Sequence, residues 1–278
     1  MQTAVCHYSL NRRAKAENWT LKRLVQEVQM LGADGVDFHT SILGSPAGGI
    51  EAIRTALSGS AVKLAGLSMG NNFSSDKPEE FRAQVDKVKQ WIAVAAAVQA
   101  PVSRIFGGSM ALAQRDDPAV KQQKTQRVLD GLGEVVREAE KYGLVLALEN
   151  HGHLPCTGEE QVAMIQAIHS PCLKATIDVG NYLSGGQEGH VGTRLAAPYC
   201  AYVHFKDFKK IPDAASPLGW KLEGCVVGAG VVNHRACLEA LRDAGYNGFV
   251  ALEYEGREDE ATGVVKSLEF MKKVMQGF

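Results

Sequence analysis

Residues 144–149 read LVLALE, 173–178 LKATID, 201–204 AYVH and 249–253 FVALE. Each is an apolar run ending on a side chain able to ligate a metal: Glu149, Asp178, His204 and Glu253. Predominantly apolar runs of this length suit strands buried on both faces, as in a parallel sheet covered by helices. If the four are successive strands of one closed barrel, their carboxyl ends meet at one rim. Two glutamates, an aspartate and a histidine then arrive at a single point, so the pattern predicts a metal site together with the fold.

Working outward, further apolar runs lie near residues 3–8, 34–38, 62–68 and 101–107, which makes eight in all. Their starts are roughly 27 to 48 residues apart, the size of a strand, loop and helix unit in a barrel. Between them come amphipathic stretches: LKRLVQEVQMLGA from Leu21, EEFRAQVDKVKQWIAVAAAV from Glu79 and KTQRVLDGLGEVVREAEKYG from Lys124. Each ends near a glycine or turn former ahead of the next run, as helices that stop and reverse do. No linker, charge block or low-complexity tract interrupts the alternation. The expectation is α/β, a single (β/α)8 TIM barrel over residues 1–278 with its active site at the carboxyl ends of the strands. An open doubly wound sheet also alternates strand and helix, but it concentrates chemistry at one switch point. Four consecutive strands each ending in a ligand favour closure.

Composition agrees. The 278 residues suit one barrel, and a hydrophobic fraction of 45% can fill its core. Thirty Lys and Arg against 31 Asp and Glu leave a formal net charge of -1, which argues against a nucleic-acid partner held by bulk electrostatics. The start, MQTAVCHYSL, has no secretory pattern. The most apolar segment, WIAVAAAVQAPV from Trp91, is broken by Gln99 and Pro101 short of a membrane span. Six cysteines are scattered without a CxxC pair, as expected of reduced thiols in a cytoplasmic protein with no membrane attachment.

Gathering three carboxylates is unfavourable unless a cation compensates them, because like charges at close range raise one another's pKa values. Three oxygen donors and one imidazole suit one divalent ion, Mn, Mg, Co or Zn, better than a thiolate-preferring site does.

ALENHGH from Ala147, TIDVGNYL from Thr176, YVHFKDF from Tyr202, GAGVVN from Gly228 and GYNGFVALEYEG from Gly245 resemble the motifs of the xylose isomerase-like TIM barrel superfamily. Within it they are most similar to the sugar phosphate isomerase/epimerase group, over about residues 143–256; strand placement alone extends the match to the first half. The resemblance implies one divalent metal held by Glu149, Asp178, His204 and Glu253, and a barrel of a type that often forms homo-oligomers. It also implies, as in the family's ketose epimerases, that Glu149 and Glu253 exchange protons with the carbon beside a carbonyl.

That chemistry has its own logic. A metal on the carbonyl and hydroxyl oxygens of a keto sugar stabilises the enediolate formed as the adjacent carbon loses its proton. Carboxylates serve as base and acid. A base on one face and an acid on the other invert a carbon, whereas one group working alone interconverts aldose and ketose. The expected activity is therefore a metal-dependent isomerase or epimerase acting on a small carbohydrate, whether phosphorylated or not.

Further residues are candidates for substrate binding. Lys206 shares strand parity with His204 and so points the same way. Asn181 falls where some relatives carry a histidine, His151 follows Glu149 on a strand-to-helix loop, and His7 ends the first run. Trp220 lies in a long segment, Phe208 to Val227, of lid-like length. His39 and His153 read as packing or loop residues, Asp207 as a loop cap, and His169, His190 and His234 have no supporting context. Gly228 and Gly230 read as a turn, since Gly-x-Gly alone is weak evidence for phosphate.

Two other enzyme classes share the ingredients. A dehydratase, a lyase acting on a keto-inositol or a dehydroshikimate-like compound, takes the same first step and then expels water. An AP endonuclease-like DNA repair enzyme requires more metal ligands than are present, since Asn181 replaces a needed histidine and no Asp-x-His follows His204. A sugar-binding module has no need of three carboxylates around a cation.

Overall fold

In the computed structural model, which describes residues 1–278, all eight apolar runs are strands. They are β1 (Gln2–Cys6), β2 (Gly35–His39), β3 (Lys63–Ser68), β4 (Ser103–Phe106), β5 (Leu146–Glu149), β6 (Leu173–Asp178), β7 (Cys200–Phe205) and β10 (Phe249–Leu252). The long segment after β7 contributes β8 (Phe208–Pro212) and β9 (Trp220–Gly224), an antiparallel hairpin outside the barrel. Helices α1 (Asn11–Ala16), α2 (Leu21–Met30), α3 (Pro46–Leu57), α4 (Pro78–Ala97), α5 (Pro118–Glu140), α6 (Gly158–Ile168), α7 (Gly189–Ala196), α8 (His234–Asp243) and α9 (Glu260–Met275) lie between and after the strands.

The barrel strands are ordered β3-β2-β1-β10-β7-β6-β5-β4, every neighbouring pair parallel. The ring is nearly closed: between β3 and β4 the amides of Leu67 and Met69 donate to the carbonyls of Val102 and Arg104 at 3.1 and 2.8 Å. This is a (β/α)8 barrel, as the sequence predicts.

Local chemistry explains where the helices start. Proline opens α3, α4 and α5, where its missing N–H costs nothing. Thr20, Asp117, Thr157, Asn233 and Asp259 each accept a backbone N–H at a helix N-terminus. No helix is long and apolar enough to cross a membrane, and all six cysteines are free.

The site is positioned by strand periodicity of two. Outward-facing residues such as Leu146, Leu148, Ile177, Val203, Phe205, Val250 and Leu252 join the large core beneath the helices. Inward-facing residues form a small separate cluster of Ala4, Ala65, Val102, Ala147, Tyr202 and Ala251, in which one tyrosine fills the barrel between small side chains. Two residues further along the same strands the inward positions become polar: Ala147 leads to Glu149, Thr176 to Asp178, Tyr202 to His204 and Ala251 to Glu253. The barrel is plugged below and ionisable above.

Candidate metal centre and active site

Glu149, Asp178, His204 and Glu253 come together. One ligand atom from each lies within 4.8 Å of the others, and all four residues are buried. Glu149 Oε2, Asp178 Oδ2, His204 Nδ1 and Glu253 Oε2 are buried atoms that make no aligned hydrogen bond, the three carboxylate oxygens meeting the ion-pair contacts of Lys206 and Arg104. Buried polar atoms are ordinarily hydrogen-bonded, so four that converge without hydrogen bonds form a donor set able to hold a divalent cation. The second atom of three of them is already anchored. Asp178 Oδ1 accepts the amides of Gly180 and Asn181, each at 2.9 Å. Glu149 Oε1 accepts from the Asn181 side-chain Nδ2 at 3.1 Å, and His204 Nε2 faces Asp37 Oδ2 at 3.3 Å.

Two side-chain cations flank the set. Lys206 Nζ stands 2.8 Å from Glu253 Oε2, 3.3 Å from Asp178 Oδ2 and 3.3 Å from Glu255 Oε1. Arg104 Nε stands 3.0 Å from Glu149 Oε2, with its guanidinium over the Phe106 ring at 4.0 Å. Burial, with Glu253 and Glu149 adding to it, pushes the Asp178 carboxyl up to about 7 against the pull of Lys206. Burial alone would lower His204, but Glu253, Asp37 and Glu149 raise it to about 10. Asp178 and His204 are thus both shifted toward their protonated forms, so cation binding at this set would be coupled to proton release.

Beside the ligands opens a cavity of about 520 Å³, walled on one side by His7, His39 and Tyr8 and on another by Arg104, Phe106 and His151. Glu253 and Glu255 face it, whereas Glu149, Asp178 and His204 are not part of its wall. Burial lowers His7 to about 4 and His39 to about 3, so both imidazoles are neutral. Each uses Nδ1 to accept a backbone N–H, from His39 and Ser41 respectively, which leaves Nε2–H as a donor. His151 stacks on Phe106 with ring centroids 4.3 Å apart.

The sequence-predicted residues divide accordingly. His7 and His151 line the cavity, and Asn181 and Lys206 touch the ligand carboxylates. Trp220 does not line the cavity: it lies on the hairpin strand β9 with Lys210 Nζ 4.8 Å from its ring centre. The long segment's length therefore reflects a hairpin packed on itself. His39, expected to be a packing residue, is in the cavity wall. His153 is a loop residue whose ring nitrogen meets the Met110 carbonyl at 3.1 Å. Asp207 is a loop cap, accepting the amides of Phe208, Gly228, Gly230 and Val232. The Gly-x-Gly turn thus cradles a carboxylate of this chain, and Gly228 is left-handed with φ +92°.

Asp37, Arg104 and Glu255 escaped the sequence reading. Each had a signal: a charged residue inside the apolar runs GVDF and SRIF, and a glutamate two beyond Glu253. Asp37 and Arg104 are buried, with Asp37 fixed by the Ser68 hydroxyl at 2.8 Å.

The fold and the geometry of this rim point to one class, and comparison with known proteins agrees. The chain belongs to the xylose isomerase-like TIM barrel family, whose model matches residues 25–274. Among characterised relatives, 3-oxo-isoapionate decarboxylase of Pectobacterium atrosepticum is 28% identical over 108 residues, 39% of this chain and 38% of its own. L-ribulose-5-phosphate 3-epimerase UlaE of Escherichia coli is 26% identical over 158 residues, 54% of this chain and 51% of its own. The chain thus spans about half, or less, of the length of these relatives. A D-tagatose 3-epimerase-like protein has the same fold, with TM-score 0.79 and 20% identity over 99% of this chain and 97% of its own.

Proposed function

We propose that this protein is a divalent-metal-dependent isomerase or epimerase acting on a small keto sugar, sugar acid or derivative. The observation that carries the reading is the convergence of four buried metal-competent donor atoms, none in a hydrogen bond, beside a cavity. Manganese, magnesium, cobalt and zinc all suit three carboxylate oxygens and one imidazole. When bound there, such an ion supplies positive charge against the negative charge that develops on the substrate's oxygens as a neighbouring proton leaves.

The chain's own groups do the rest. Glu253, the ligand carboxylate that faces the cavity, accepts the proton from the carbon beside the carbonyl. Glu149, on β5, delivers or receives a proton on the other side. Lys206 holds Glu253 ionised: burial would raise this carboxyl, but the ammonium and His204 keep it well below the usual range. His7 and His39 offer neutral N–H donors to sugar hydroxyls, and the Phe106–His151 stack packs one face of the substrate.

A lyase reading is favoured by one relative, the decarboxylase, because loss of carbon dioxide or water from a keto acid or keto-inositol builds the same negative charge next to a carbonyl. One experiment separates the readings: incubation in deuterium oxide with manganese and a panel of ketoses, keto acids and keto-inositols, read by mass. Gain of one deuterium at constant formula supports the epimerase. Loss of water or carbon dioxide selects the lyase, and a metal-loaded protein that exchanges none of the panel ends both.

A further inference from the structure

A second cavity, of about 380 Å³, adjoins the first and shares Tyr8, Asn11 and Glu255 with it as a common wall. Its remaining wall includes Arg12, Tyr254 and Glu260. That wall is firmly built. Arg12 donates to Glu260 at 2.9 Å and to the carbonyls of Gly256 and Glu258 at 2.8 and 2.9 Å. Glu260, only 4% exposed, also accepts the amides of Arg12 and Arg13, and Tyr254 donates its hydroxyl to Glu258 at 2.9 Å.

The charges here are already paired, so the second cavity offers no free cation cluster to a phosphate. What it offers is a flat aromatic surface and polar side chains. Tyr8, in the wall shared by the two cavities, is 47% exposed. The Asn11 side chain makes no hydrogen bond within the protein, leaving two donors and an acceptor available. Glu255, held by Lys206, faces both cavities. An aromatic face beside hydrogen-bonding groups matches a ligand with an apolar face and hydroxyl edges. Either cavity alone falls within the size range of small-molecule sites, about 300–1,000 Å³.

We infer that the substrate extends beyond one sugar ring: a keto sugar bearing a second glycosyl unit, whose reacting ring lies at Glu253 and whose second ring packs on Tyr8 within reach of Asn11 and Glu255. The inference rests on the carbohydrate reading of the first cavity and adds the substrate's size.

The test compares D-fructose with two glycosylated ketoses, lactulose and isomaltulose, on the manganese-loaded protein. Calorimetry reads binding, and deuterium incorporation next to the carbonyl reads chemistry. At least one disaccharide is expected to bind 10-fold or more tighter than fructose. Tyr8→Ala erases that preference, and Tyr8→Phe, which keeps the ring, preserves it. Equal or weaker binding of both disaccharides, or a preference unchanged in Tyr8→Ala, overturns the second-ring site. Preferential disaccharide binding without any exchange keeps that site and instead sinks the epimerase reading. Failure of all three sugars to bind overturns both.

Discussion

The two halves of the barrel do different work with the same architecture. The strand ends of the second half, β5, β6, β7 and β10, carry all four candidate ligands. The strand ends of the first half carry none; they supply His7, His39, Arg104 and Phe106 to the cavity wall. One half concentrates negative charge and the other supplies neutral imidazoles, one guanidinium and an aromatic surface. On the proposed reading the cation is held by the second half alone, whereas the cavity wall draws on both halves, with His151, Glu253 and Glu255 coming from the second.

The largest expected effects lie in the second half. Glu253→Gln should lower solvent exchange by about 10²–10⁴-fold, the usual contribution of a positioned acid or base. Glu149→Gln should act in the same direction with a smaller loss, since Glu149 is withdrawn behind Arg104 and Asn181. Exchange rates on whichever ketose reacts would measure both. Normal rates in the two variants would dissolve the catalytic distinction between the halves.

Asp37 is where the comparison can break, because it belongs to the first half yet touches a ligand. Its carboxylate faces His204 Nε2 and leaves Nδ1 pointing at Glu149 and Glu253. A carboxylate in this place fixes ring orientation and tautomer, so Asp37→Ala should weaken metal binding by about 10–100-fold. The cobalt-loaded protein's visible spectrum and a manganese titration report this without turnover. His39→Ala, in the same half, should instead raise KM by up to about 10-fold, the loss of one hydrogen bond, with metal content unchanged. Metal loss in His39→Ala together with full retention in Asp37→Ala would reverse the assignment.

The same division governs what was legible in the sequence. Glu149, Asp178, His204 and Glu253 each terminate an apolar run, so a period of two and one rim suffice to gather them. Lys206 followed from parity with His204. Asp37 and Arg104 sit inside their runs, where a lone charge reads as an interruption of a strand; only the closed ring shows that Asp37 meets His204 across 167 positions of sequence. Trp220 stands outside the cavity wall for a different reason. Segment length suggested a lid, but the pairing of β8 with β9 is non-alternating in pattern, with KKIP facing WKLE, and hairpin pairing is weakly written in such charged strands.

The smallest expected effect concerns the seam between the halves. Arg115, in the loop after β4, holds the Glu160 carboxylate of α6 at 2.6 Å, and Lys121 approaches the same oxygen at 2.6 Å. Arg115 also donates to the His153 carbonyl, while Glu160 accepts the Cys156 amide. This network ties the loop that carries His151 to the first half. Against the effect of burial, Arg115 and Lys121 bring Glu160 down to about 2. Because the folded value lies below the unfolded one, the stabilisation is fully present above the ordinary glutamate pKa and is lost as pH falls through about 2. Glu160→Gln keeps the shape and removes the charge, and should cost about 1 kcal/mol at pH 7 for a partly exposed pair. Urea denaturation at pH 7 and at pH 3 measures the gap between wild type and variant, which should narrow at the lower pH. A gap of equal size at both would mean that packing, not charge, joins the two halves at this seam.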